Sequence, residues 1–292
     1  MRAPLRHALP AAFAGALLTT LTAGTVLLQG PGPAQAAEAG KKAPAPQAVP
    51  DSSEALPLPP EPPRLASGAE YEACLALLRT DPEAAMTRAG EWEERGGGDG
   101  ARHCLALALL AMGNPEGAAG RLERLAASSD AGAAARASVF AQAAQAWMMA
   151  GAPERAYGAS TLALTLRPDD PSFLVDRAVA AAALGRYAET LQDLDQAVAR
   201  DGSRPDTWVF RAAALRHLDR TDEAMHDIEH ALSLQPHHAE ALLERGILRQ
   251  LKGDAAGARA DWQETIRVAP DSAAADLAQQ NLALNEAGPR RR

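Results

Sequence analysis

Between residues 137 and 270 the chain repeats itself every 34 residues, and this period constrains the fold more than any single motif. Units 171–204, 205–238 and 239–272 align without a gap. Early in each unit stand Leu174, Trp208 and Leu242, followed four residues on by the small residues Ala178, Ala212 and Gly246. A turn position follows, held by Gly185, Asp219 and Gly253. Then come Thr190, Ala224 and Ala258, the bulky Leu194, Ile228 and Trp262, and Ala197, Ala231 and Thr265. The units close at Gly202, Pro236 and Pro270, where Gly or Pro stops a helix. Residues 137–170 keep the register through Phe140, Ala144, Gly151, Ala156, Ala163 and Pro168. The apolar spacing is helical and there is no strand-like alternation, so each unit reads as two helices around a turn. Aromatic residues are only 4% of the chain, so the core must come from Ala, Leu and Val, whose small members allow helices to approach closely.

Two less regular hairpins precede the array. One runs from Tyr71 to Trp92 around Asp81-Pro82-Glu83, the other from Leu105 to Ala127 around Gly113-Asn114-Pro115-Glu116. Gly96-Gly97-Gly98 separates them, and Ser128-Ser129-Asp130 adds residues before the regular units. After Pro270 a single amphipathic helix spans Ala273 to Glu286 and ends at Gly288-Pro289.

The units resemble the tetratricopeptide repeat, with an aromatic residue or Leu first, a small residue four on, Gly at the turn, Ala opening the second helix and Pro at the end. Leu184-Gly185-Arg186-Tyr187-Ala188-Glu189-Thr190-Leu191 is similar to the central segment of that family. Departures are Asp219 for the turn Gly, Thr190 and Thr265 for Ala, and Gly202 for Pro. The resemblance implies an all-α, right-handed superhelical solenoid of about six hairpins plus a C-terminal capping helix. Its parts are then irregular hairpins over 67–136, four regular units over 137–272, a cap over 273–287 and a tail at 288–292.

It also implies a non-enzymatic scaffold or adaptor whose first helices line a concave groove that holds a peptide or a helix of another protein. Carried through the register, that groove takes in Gln142, Gln145, Met149, Val175, Asp176, Val179, Val209, Phe210, Ala213, Arg216, Glu244 and Ile247. It reads as a shallow apolar strip with scattered polar groups, with Phe210 and Met149 as its exposed anchors. It lacks the paired Lys and Asn with which some members clamp a C-terminal carboxylate. No cofactor is implied. Self-association, as a structural solenoid filled by its own linker or by a sister chain, is the alternative function.

The N-terminus reads as an export signal. Arg2 and Arg6 precede an apolar stretch from about Ala8 to Leu28, then Gly30-Pro31-Gly32-Pro33 and the cleavage pattern Ala34-Gln35-Ala36. Cleavage after Ala36 predicts a periplasmic protein and moves the formal net charge from −8 to −10, because the segment holds two Arg and no acid. Retained uncleaved, the stretch would tether the chain to the inner membrane. Residues 37–66 are Ala- and Pro-rich, with Pro44, Pro46, Pro50, Pro57, Pro59, Pro60, Pro62 and Pro63, and read as an extended linker. An acidic body whose only basic cluster is Arg290-Arg291-Arg292 argues against nucleic acid as a partner.

Three constellations remain. Arg177, Arg211 and Arg245 recur every 34 residues, each followed sixteen residues later by Asp193, Asp227 or Asp261, whereas unit 137–170 has Ala143 and Ala159 at both places. Charge in both places or in neither predicts a structural ion pair clamping the two helices of a hairpin. Cys74 and Cys104 fall in the first helices of adjacent hairpins. An even pair in an exported chain predicts a disulfide, with two separate buried thiols as the alternative. His226-Asp227-Ile228-Glu229-His230 matches the H-x-x-E-H pattern of a zinc hydrolase. The register places its His and Glu on the outer side of a second helix, without a cleft, so it reads as a solvated face. His237-His238 reads as a solvent-facing loop. There is no Gly-rich phosphate loop, no G-x-S-x-G and no carboxylate pair in a recognisable cleft.

Overall fold

Proline and short polar residues set where the helices begin. The computed structural model describes residues 64–287, and among them it contains thirteen helices and no strand. The expected signal segment 1–36, most of the linker 37–66 and the tail 288–292 lie outside the described residues. In chain order the helices are α1 (Ala69–Leu77), α2 (Pro82–Glu94), α3 (Gly98–Ala111), α4 (Pro115–Ser128), α5 (Ala133–Met149), α6 (Pro153–Leu166), α7 (Pro171–Ala183), α8 (Tyr187–Arg200), α9 (Pro205–His217), α10 (Thr221–Leu234), α11 (Ala239–Leu251), α12 (Ala255–Val268) and α13 (Ala273–Ala287). Five of them open on Pro, where the missing N–H is no loss. Asp81, Asn114, Asp170 and Asp254 accept the first free N–H groups of α2, α4, α7 and α12.

Successive odd and even helices pair into six hairpins, and α13 packs on α11 and α12. The first helices also touch one another from unit to unit, at α1–α3, α5–α7, α7–α9, α9–α11 and α11–α13. They therefore form a layer of their own. Within each hairpin from α3–α4 onward the turn holds a left-handed residue. Gly113, Gly151, Gly185 and Gly253 supply it with φ of 80°, 71°, 73° and 85°. In the α9–α10 turn Asp219 takes the same place with φ 59°, a conformation its short polar side chain tolerates. The Thr departures are also accommodated. Thr190 donates its hydroxyl to the Arg186 carbonyl and Thr265 donates to that of Asp261, so both are fully buried without an unmet donor.

Buried Ala and Leu form one continuous core from α3 to α9, followed by smaller clusters towards α13. Leu65, inside the expected linker, already packs against this core, and Arg64 pairs with Glu72, so the last linker residues are engaged. The first hairpin is the weakest. Its own cluster is Cys74, Ala89 and Cys104, and the two cysteines are joined as a disulfide with Cα atoms 6.3 Å apart.

The two helices of the α11–α12 hairpin pack tightly at Gly246. A Cβ there would lie 2.3 Å from Nε1 of Trp262, whereas the same two places in the α7–α8 hairpin are held by Ala178 and Leu194. Gly246→Ala is therefore expected to destabilise by about 2–3 kcal/mol through overpacking. In a Trp262→Leu background the same change should be neutral or stabilising, because Ala is the better helix former. Urea unfolding of the four proteins measures this coupling. An equal cost in both backgrounds would refute the clash.

Candidate protein-binding face

The first-helix layer is laced together by side chains about one unit apart in sequence. Tyr71 on α1 donates its hydroxyl to Nδ1 of His103 on α3 at 2.5 Å. His103 in turn donates Nε2–H to Gln142 Oε1 on α5 at 2.6 Å. This pattern fits a neutral imidazole, and burial holds the His103 pKa below its ordinary value. Gln145 on α5 donates to Asp176 on α7 at 3.4 Å. Arg216 on α9 meets Glu244 on α11 through Nε at 2.5 Å and Nη2 at 3.4 Å.

The groove expectation needs correction on this basis. Val175, Val179, Val209, Ala213 and Glu244 are buried between hairpins and do not form an open strip. Phe210 is no exposed anchor: it is half-buried and packed against the main core. Gln142, Gln145, Asp176, Arg216 and Ile247 are half-buried, and the first four are engaged in the contacts just described. Met149, at the end of α5, is 50% exposed. The reason is geometric. A first-helix position that faces inward also faces the next first helix, and the neighbour covers whatever it can reach.

Asp176 stands apart among these residues. Protein atoms strip water from its carboxyl while it stays half-buried, and desolvation pushes its pKa up to about 6, against the lowering effects of Gln145 and Arg204.

The three arginine–aspartate pairs lie within hairpins. Arg177 donates Nε and Nη2 to both oxygens of Asp193 at 2.8 and 2.7 Å. Arg211 does the same to Asp227 at 2.7 and 2.6 Å, and Arg245 to Asp261 at 3.0 and 2.7 Å. The carboxylates are buried. Ala143 and Ala159 are buried in the hairpin that lacks the pair. The hydrogen bonds to Asp193 and Asp227 raise the pKa of Arg177 and Arg211 further.

His226 is 81% exposed and His230 sits edge-on against Trp208, with ring centroids 4.3 Å apart. Among the described residues no group of three or more His, Cys, Asp or Glu is placed to hold a metal ion. His238 is not solvent-facing as the sequence suggested. It is buried, accepts the Ala241 N–H on Nδ1 as the cap of α11, and donates Nε2–H to Asp206 at 2.9 Å, which lowers the Asp206 pKa. Exposure at this doublet belongs to His237.

At the C-terminal end, Ile247, Gln250, Leu251, Trp262, Asn281, Leu284 and Asn285 line a pocket of about 250 Å³. Leu251 is 62% exposed and Leu284 71%. Sequence reading missed both this pocket and the unit-to-unit ladder. The signal for the ladder was available: Tyr71–His103, Ser172–Arg204 and Asp206–His238 are all 32 residues apart, close to one period. Among the described residues no helix is long and apolar enough to cross a membrane.

No protein-family model matches the chain, and no curated protein matches it by sequence. Solved structures match the fold. PilF of Pseudomonas aeruginosa is 17% identical and superposes with a TM-score of 0.58, over 74% of this chain and 96% of its own. A thermophilic tetratricopeptide protein of Thermus thermophilus is 18% identical, with a TM-score of 0.52 over 65% and 99%. MamA of Desulfovibrio magneticus RS-1 is 17% identical, with a TM-score of 0.51 over 58% and 94%. The chain has the tetratricopeptide-repeat fold.

Proposed function

We propose that this chain is an exported, non-enzymatic scaffold of the cell envelope that holds a peptide or helix of a partner protein along its first-helix layer. The observation that carries the reading is the layer itself. First helices of successive hairpins pack on each other and are cross-bonded side chain to side chain, so they present one prearranged surface. A surface already ordered loses little entropy on binding. The N-terminal sequence, with its basic start, apolar stretch and A-x-A pattern, supports the envelope setting.

A photo-crosslinking residue at position 149, on the first-helix layer, tests the reading against one at position 162 on α6. Leu162 is also exposed but belongs to a second helix. The expected result, in intact cells, is one partner protein captured reproducibly from position 149 and not from 162. Capture from 162 alone would sink the reading. A covalent dimer of the chain itself would favour the self-associating solenoid.

A further inference from the structure

We infer that Asp176 is where this scaffold receives a cationic side chain, a lysine or arginine of an otherwise apolar peptide segment. The inference rests on the first-helix layer being the binding surface.

Every fully buried carboxylate described in this chain has a basic partner. Asp193, Asp227, Asp261 and Glu244 are each held by an arginine through two nitrogens. On the first-helix layer Asp206 has His238. Asp176 has none. Its one hydrogen bond comes from the neutral amide of Gln145 at 3.4 Å, and among the described residues no Lys, Arg or His reaches it at ion-pair distance. Arg204, at the start of α9, acts on it only from further away and donates its own Nη1 to Ser172 at 3.2 Å. Asp170, at the start of α7, opposes that help.

A carboxylate stripped of water without a counter-ion is unfavourable, and burial raises its pKa to about 6 as a result. Such groups cluster at functional sites, because a ligand supplies what the protein withholds. Here the missing component is one positive charge. Met149 lies one turn beyond Gln145 on α5 and is 50% exposed, so apolar surface is at hand for the stem of a long basic side chain. The formal net charge of −8 attracts a cationic segment from a distance.

The test uses the full chain, its Asp176→Asn variant, and capped leucine–serine octapeptides with a central Lys, Gln or Glu, read by fluorescence anisotropy. The Lys peptide should bind the native chain at least tenfold more tightly than the Gln peptide, and Asp176→Asn should erase that preference. Affinity for the Lys peptide should rise from pH 5 to pH 7 as Asp176 loses its proton against Gln145, Arg204 and Asp170. Without ligand, Asp176→Asn should unfold at a higher urea concentration. A folded-state pKa above the unfolded value means that deprotonation weakens the native state, and the amide removes that penalty.

A Lys preference that survives in Asp176→Asn overturns the assignment, as does a lower urea midpoint, which would make Asp176 a structural residue. Equal binding of Lys and Gln peptides leaves the binding surface standing and removes Asp176 from it. Failure of all three peptides to bind removes the surface reading too. If replacing the linker lysines Lys41 and Lys42 by Gln raises peptide affinity, the chain's own lysines compete for the site and a partner peptide is not its occupant.

Discussion

Arg177→Ala should destabilise the chain by about 3–5 kcal/mol, whereas Arg177→Ala combined with Asp193→Ala should cost far less than that single change. Arg177 fills both oxygens of a carboxylate that is 4% exposed. Removing the guanidinium alone leaves that buried charge without a counter-ion. Removing both groups leaves two alanines, the arrangement that the α5–α6 hairpin already uses at Ala143 and Ala159, both buried. Arg177→Lys should recover only part of the loss, since an ammonium cannot make the two parallel bonds. Urea unfolding of the two single variants and the double variant gives the coupling energy. A double variant as unstable as the sum of the two singles would show that the pair is not a unit. Because each hairpin leans mainly on its neighbours, the loss should be greatest in hydrogen-exchange protection around α7 and α8.

The second large effect is expected from the disulfide. Replacing Cys74 and Cys104 by alanine should destabilise the first two hairpins by about 3–4 kcal/mol, the loop-closure estimate for a separation of 30 residues. The local packing gives little to fall back on. The cluster around the bridge contains only Ala89 besides the two cysteines, with Leu78 and Leu105 partly buried against it. The helix α1 makes its main contacts with α2 and α3 alone. The variant should therefore lose α1 and α2 to limited proteolysis while α5 to α13 stay protected. Reduction of the native chain should reproduce the pattern. Equal protease resistance of oxidised, reduced and Cys-free protein would mean that Tyr71, His103 and Gln142 hold the hairpin without the bridge.

The fold was legible in the sequence because a repeat writes the same local contacts several times. Ala178, Ala212 and Gly246 recur at one depth in the first helix, and Leu194, Ile228 and Trp262 recur opposite them in the second. Even exceptions are informative in that frame. Asp219 must adopt the left-handed turn of its glycine counterparts, and it does so with φ 59°. The Arg–Asp spacing of sixteen lies within a single hairpin, where the short turn leaves little freedom in how the helices face each other.

Surface availability was not legible to the same degree. Register assigns Phe210 and Val179 to the inward side of their helices but cannot say how far the next first helix slides over them. That depends on side-chain volumes in two units at once and on the rotation between them. The same cause hid His238, which caps α11 while its partner Asp206 lies on α9 of the preceding hairpin, and the C-terminal pocket, whose lining comes from α11, α12 and α13 together. The sequence by itself determined the helical hairpins, their number and the contacts inside each one, since all of these follow from spacing along one chain segment. Only the tertiary structure decided which first-helix groups are spent between units, which, like Met149, stay exposed, and which, like Asp176, lack a basic partner, because burial and charge pairing across units are set by packing in three dimensions.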